Sequence, residues 1–196
     1  MNPFKQAEDY ARKTYQNFSP YLIYHNSHHA QDVRAAVKRL AKLENKNLYE
    51  TKILDIAALY HDIGFIETYE GHEEAGISMI YEHFPRFGFS EDDISLITGL
   101  VRATKLPQHP LTPLEEILCD ADLDNFGRPD FFINTELLFQ ERCKNGFAQS
   151  ASEWLNQTLD LLRSHDYFTE AARNLRNVQK QKNLSLLEEK TAKSRA

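Results

Sequence analysis

TPLEEILCDADLDNFG (112–127) decides the fold. Thr112 offers a hydroxyl to the free N–H groups of a helix start. Pro113 stands where a missing N–H costs nothing, and Glu115, three residues past the cap, can reach back to it. This pattern predicts a helix running through Asp120, Asp122 and Asp124 to Gly127, with Leu114 and Leu118 leading up to Asp122. Nothing in the stretch alternates with the period of a strand.

The same signals repeat on both sides. Upstream, Asn26 or Ser27 caps a helix to about Glu44, whose inward stripe is His29, Val33, Ala36, Val37 and Leu40. A second helix is expected from about Tyr49 to Ile63, with Ile53, Leu54, Ala57, Ala58 and His61 on one side and Gly64 as its left-handed stop. A third starts near His72 and ends before Pro85. A fourth is capped by Ser90, with Asp93 three residues on and Ile94, Ile97 and Val101 facing inward. Downstream, Asp130 is expected to cap a helix through about Lys144. Ser150 or Ser152 opens another, with Trp154, Leu155, Leu159 and Leu162 apolar. Thr169 opens the last, with Ala172, Leu175 and Val178 inside. The charged tail from Glu188 is expected to fray. The seven glycines and seven prolines fall mostly between these segments. The expected fold is all-α and a single domain.

At 196 residues, 41% hydrophobic and 27% charged, the chain is that of an ordinary globular domain. A chain of this length buries a core without a structural metal, so a bound metal would serve chemistry rather than folding. A net charge of −6 argues against duplex nucleic acid as a partner, because phosphate backbones need a dense Lys/Arg face. It leaves room for a small phosphorylated substrate, which needs only a few local cations. Cys119 and Cys143 form no disulfide framework and suit a reducing compartment. The N-terminus lacks an apolar stretch of signal-peptide length, and no segment approaches the ~20 apolar residues of a membrane span. A cytoplasmic protein is the expectation, monomeric or homodimeric, with the last two helices packing on the body or forming a dimer face.

Three polar residues sit on otherwise apolar helical faces: His29 before Val33, Ala36 and Val37; His61 after Leu54, Ala57 and Ala58; and Asp122. Burying a carboxylate costs several kcal/mol unless something compensates it. A divalent cation shared with a pair of histidines compensates it well. Each residue alone has a plainer reading: a hydrogen-bonded core histidine, a solvated aspartate in a charged run, or a His at a helix end where it suits the dipole. The argument rests on their joint occurrence and order.

His, then His-Asp, then Asp on successive helices resembles the HD superfamily of metal-dependent phosphohydrolases. YHNSHHAQDV (24–33) is similar to the YHNxxHAxDV signature of its cyclic-nucleotide phosphodiesterase branch. ALYHDIGF (58–65) carries the His-Asp pair with its common Ile-Gly continuation. GHEEAG (71–76) resembles the His-x-x-x-Gly of two-metal members, and ILCDADLDNFG (117–127) resembles the helix that supplies the last Asp.

The resemblance implies a helical HD-domain bundle, with residues 1–23 as an N-terminal helical extension, 24–130 as the metal-binding core and 131–196 as C-terminal helices packing on it. It implies His29, His61, Asp62 and Asp122 as metal ligands, Asp62 being able to bridge two ions. Asp122 is preferred over Asp120 and Asp124 for its Ala-Asp context, and the neighbouring His28 leaves the register of the first ligand open. His72 and, in ATKLPQHP (103–110), His109 are candidates for a second metal. His25 matches the histidine that protonates the leaving oxygen. The cations for a phosphate are Lys105, Arg102 and Arg128, with Lys105 preferred for a catalytic part. Tyr24, Glu73 and Asn125 are candidates for outer supporting groups. The implied reaction is cleavage of a phosphate ester, of a nucleotide or similar small molecule, by metal-activated water. The mixed imidazole and carboxylate set suits Mn, Fe, Co, Ni, Zn or Mg without choosing among them. Two alternatives stay open: a di-iron oxygenase on the same scaffold, in which His72 and His109 complete six ligands, and a non-catalytic nucleotide-binding module.

Overall fold

Asn2, Asn26, Asn47, Ser90, Thr112 and Ser150 each accept a backbone N–H from the first turn that follows, and so set six helix starts. In four of them the third helical residue (Glu50, Asp93, Glu115, Glu153) reaches back to the cap. The computed structural model describes residues 2–147 and 150–194. Among the described residues there are nine α-helices and no strand. They are α1 (Pro3–Tyr15), α2 (Ser27–Leu43), α3 (Leu48–Tyr60), α4 (His72–Phe87), α5 (Glu91–Ala103), α6 (Pro113–Asp122), α7 (Phe131–Lys144), α8 (Ala151–Ser164) and α9 (Glu170–Ser194). Two short 3₁₀ turns, Ile63–Ile66 and Asp124–Gly127, follow α3 and α6.

The core lies where α2, α3, α5 and α6 pack together, with α1 laid over α3 and α4. Val33, Ala36, Val37 and Leu40 of α2 are buried, as are Ile53, Leu54, Ala57 and Ala58 of α3 and Ile94, Ile97 and Val101 of α5. Two phenols tie α1 down: Tyr15 donates to the Leu59 carbonyl at 3.0 Å and Tyr60 to the Ala7 carbonyl at 2.9 Å.

Several boundaries differ from the sequence expectation. α3 stops at Tyr60, not Ile63, and Gly64 is not its left-handed stop. Gly64 lies in the 3₁₀ turn, where a Cβ would sit 1.9 Å from the His72 carbonyl oxygen and 2.6 Å from the Gly76 nitrogen. A glycine is required there because the turn presses on the start of α4. α4 runs through Pro85, which gives up its bond to the Tyr81 carbonyl without ending the helix, to Phe87, and the left-handed Gly88 (φ 91°) stops it. α6 ends at Asp122 rather than Gly127. Asp124, in the turn beyond, is held by Arg39 (2.7 Å) and Arg176 (2.7 Å). Asp130 makes no cap bond to α7; its carboxylate pairs with Arg128 instead.

α9 departs most. Ala172 is buried as expected, but Leu175 is 42% and Val178 72% exposed, so the expected apolar stripe turns outward after the first turn. The buried face is Lys180, Asn183, Leu187 and Thr191. It is polar in its middle because it satisfies backbone groups beneath: Asn183 donates to the Phe126 and Arg128 carbonyls at 2.9 and 2.8 Å, and Lys180 donates to the His165 carbonyl. The stretch beyond Glu188 stays helical to Ser194, with Glu188 bonded to Arg163 at 2.7 Å.

Candidate metal centre

The ends of α3 and α6, the first turn of α2 and the first residue of α4 meet at one point. Nε2 of His29, Nε2 of His61 and a carboxylate oxygen of Asp122 are the kind of atoms that can hold a metal ion, and the three ligand atoms lie within 4.8 Å of one another. The two imidazole nitrogens are 3.3 Å apart. Asp122 Oδ1 is 3.5 Å from His29 Nε2 and 3.4 Å from His61 Nε2. Asp62 Oδ2 is 3.4 and 3.0 Å from the same two nitrogens. Atoms each ~2.1 Å from a shared ion stand roughly 3.0–3.5 Å apart, so these spacings fit a cation at their centre.

The proton positions agree with that. His61 donates its Nδ1–H to the Ala58 carbonyl at 2.8 Å, which turns Nε2 inward toward the carboxylates. His61 is 1% exposed, and the buried Asp62 Oδ2 has no hydrogen-bond donor. Burial alone would raise the Asp122 carboxyl, yet His29 and His61 hold it down at about 2. Burial likewise opposes ionisation of Asp62, but His61 and His25 keep it well below the usual carboxylate range. Burial would depress His61, and Asp62 and Asp122 instead raise it well above the ordinary imidazole value. A buried, dense set of ionised carboxylates and imidazoles is also a set that a divalent cation satisfies.

Asp62 faces two ways. Its Oδ1 is 3.3 Å from His72 Nε2, and Glu73 Oε1 lies 3.7 Å from the same nitrogen. His72 Nδ1 is within 3.3 Å of the Tyr69 carbonyl, so its Nε2 also turns toward the acids. Phe65, from the 3₁₀ turn, stacks on the rings of both His72 (3.8 Å, 16°) and His25 (4.4 Å, 20°) and so helps to position them.

His25, in the loop before α2, is oriented by a residue that the sequence reading missed. Glu141 of α7, 0% exposed, accepts His25 Nδ1–H, the backbone N–H groups of Tyr24 (2.7 Å) and His25 (2.9 Å), and the Tyr69 hydroxyl (3.2 Å). Burial works against its ionisation, and the His25 and backbone donors outweigh it, so its pKa falls below the glutamate norm. No local pattern in FQERCK (139–144) marks it; only the packing of α7 on the loop brings it there.

The cations divide. Lys105 lines a cavity of ≈ 470 Å³ together with His25, His29, Asp62, His72 and Asp122. Arg102 instead pairs on the surface with Glu74 at 3.1 Å. Arg128 is engaged by Asp130 and, at 3.2 Å, Asp32, and borders a small adjoining hollow that Tyr24, His29, Asp122 and Asn125 also line. His109 is exposed and lines another groove with Arg102 and Leu111, so it is not brought to the cluster. Its neighbour Gln108 turns inward, with its Nε2 3.3 Å from the Cys119 carbonyl and 3.5 Å from Asp122 Oδ2. His28 is exposed while His29 enters the cluster. The Tyr24 ring lies against His29 at 4.8 Å and its hydroxyl accepts from Asn125 at 3.3 Å.

Residues 27–124 match the family described as the HD domain, half of the chain, and the chain belongs to that family. No protein of curated function matches it. Among solved structures, the crystal structure of Bacillus subtilis YpgQ in complex with ADP is similar, with a TM-score of 0.66 at 18% identity over 100% of this chain and 97% of that one. At that identity the likeness is one of fold. Among the described residues no helix is long and apolar enough to cross a membrane.

Proposed function

We propose that this protein is a metal-dependent phosphohydrolase that cleaves a phosphate ester of a nucleotide or a similar small molecule. The observation that carries the reading is the pairing of the His29–His61–Asp62–Asp122 cluster with a histidine, His25, held by a buried carboxylate on the wall of the same cavity. The four residues would hold one divalent ion, and Asp62 Oδ1, His72 and Glu73 offer a place for a second. A divalent ion there supplies an acidified water and offsets negative charge on the phosphoryl group.

The chain's own groups do the rest. Lys105 draws the anionic phosphate into the cavity. Glu141 holds the His25 Nδ1–H, so that Nε2 is the atom presented to the leaving oxygen and delivers a proton to it when the ring is an imidazolium. In this reading residues 24–130 carry the metal centre, and the helices 131–196 supply the residue that orients the acid. The ADP bound to YpgQ, a protein of similar fold, is consistent with a nucleotide substrate. The oxygenase alternative loses support because His109, needed for its sixth ligand, lies in another groove.

The test is metal analysis of the purified protein, then a panel of phosphate esters with that metal, run with and without oxygen. Phosphate release that a chelator stops, the metal restores and oxygen leaves unchanged is the expected result. Tight nucleotide binding without turnover on any ester, with any of the six metals, would favour the non-catalytic module.

A further inference from the structure

A second chamber of ≈ 380 Å³ opens from the metal cavity, sharing His25, Tyr69, His72 and Arg142 as its near wall. Its far wall is built from α8 and the chain just beyond α7, with Trp154, Thr158 and Phe147, while Leu161 borders both spaces. The volume is within the ~300–1,000 Å³ of small-molecule sites. Neither the metal chemistry nor the acid uses this space.

Its lining is made for a flat, polar-edged ring. Tyr69 stacks on Phe147 at 4.9 Å and 28°. The Arg142 guanidinium lies 5.4 Å from the Phe147 ring centroid and 6.0 Å from that of Trp154. Two donors there are left over: Trp154 Nε1 and Arg142 Nε are both buried and have no hydrogen-bond partner. A buried donor without an acceptor costs ~1–3 kcal/mol, so a ligand that presents acceptors between aromatic faces relieves a standing penalty. A purely apolar ligand would leave both donors stranded.

We propose that this chamber is the subsite for the heteroaromatic base of a nucleoside monophosphate, with Trp154 and Arg142 as specificity-determining residues. The proposal rests on the phosphohydrolase reading for the placement of the phosphate, at the metal centre beside Lys105. The base then reaches through the shared wall, its face against the aromatic rings and its ring nitrogens or carbonyls toward Trp154 Nε1 and Arg142 Nε.

The chain has one tryptophan, so Trp154 emission reports on the chamber alone. The full chain is titrated with AMP, CMP, adenosine and ribose 5-phosphate, with excitation at the red edge where bases do not absorb. Saturable emission changes with the nucleotides and adenosine, and none with ribose 5-phosphate, are expected. In turnover, Trp154→Leu should raise KM for AMP about tenfold or more and leave ribose 5-phosphate kinetics unchanged, which also shows the variant is folded; Arg142→Gln, whose side chain also borders the metal cavity, should raise KM for AMP by a larger factor than KM for ribose 5-phosphate. If Trp154→Leu does not fold, Trp154→Phe replaces it in turnover, with a smaller rise in KM for AMP alone. Unchanged emission with every base-bearing ligand, or equal effects of the variants on AMP and ribose 5-phosphate, overturns the chamber while leaving the hydrolase standing. Absence of turnover on all esters overturns the hydrolase, and the adenosine titration then decides the chamber by itself.

Discussion

Glu141 and His25 are 116 residues apart in sequence, and the fully buried Glu141 carboxylate accepts the His25 Nδ1–H directly. Three further donors converge on the same carboxylate. Glu141→Gln keeps the shape and removes the charge that stabilises a protonated imidazole. The expected outcome is unchanged metal content, a loss of kcat on alkyl phosphate esters of roughly 10- to 100-fold and a smaller loss on p-nitrophenyl esters, whose leaving group scarcely needs a proton. His25→Ala should show the same leaving-group dependence. Equal losses on both ester types would remove the general-acid role.

His61→Ala and Asp62→Ala each delete a donor that is surrounded by the others. Both should abolish metal binding and turnover, read by metal analysis and phosphate release. The linkage gives an independent readout: a metal at about 100 times its Kd stabilises the folded state by ~2.7 kcal/mol. A chelator should therefore lower Tm in the parent and leave Tm of either variant in place. A variant with full metal and full turnover contradicts the assignment.

Lys105→Ala should raise KM for phosphorylated substrates about tenfold, the loss of one cation at the phosphate. His109→Ala should change neither metal content nor kinetics, because that imidazole faces a separate groove. Loss of a metal equivalent in His109→Ala would bring the oxygenase reading back.

The candidate metal ligands are legible in the sequence because they break a pattern. His29, His61 and Asp122 are polar intrusions on apolar helical stripes, and the stripes of α2 and α3 are buried as read. The starts of α5, α6 and α8 are legible because a capping box is local chemistry. What escapes the sequence is non-local. Glu141 acts across the fold and carries no signature in its neighbours. The inward face of α9 defeats an apolar-stripe reading because Lys180 and Asn183 are buried to satisfy the His165, Phe126 and Arg128 carbonyls, while the more apolar Val178 is left outside. Gly64 has the position of a helix stop, but its cause is the backbone of the next helix, at His72 and Gly76, pressing against it.

That contact makes Gly64→Ala a test of how the second half of the site is held. The new methyl would meet backbone, which cannot rotate away, so the 3₁₀ turn and α4 must separate. A loss of about 1–3 kcal/mol by denaturant unfolding is expected. Because the turn carries Phe65 and α4 carries His72, activity should fall further than the lost stability explains at temperatures where the variant is fully folded.

His165, at the end of α8, supplies a pH test outside the candidate metal cluster. Burial, reinforced by the Lys180 ammonium, lowers its pKa to about 3, and both ring nitrogens are buried without a partner. The groups around it are Lys180 from α9, Asp166, which is exposed, and the Tyr167 phenol. The folded state therefore keeps His165 neutral where the unfolded chain, titrating near ~6.5, binds a proton. Since the unfolded state holds more protons in that window, stability rises with pH between about 3 and 6.5 and is lost on acidification, by up to ~1.4 kcal/mol per pH unit. Asp120 acts in the opposite sense, its carboxyl pushed up by burial to about 6. Comparing the parent with His165→Phe cancels that contribution, because Asp120 is present in both. The difference in unfolding free energy between pH 7.5 and pH 5 should shrink in the variant by about 1–2 kcal/mol; an unchanged difference would mean that His165 finds room for its proton inside the fold.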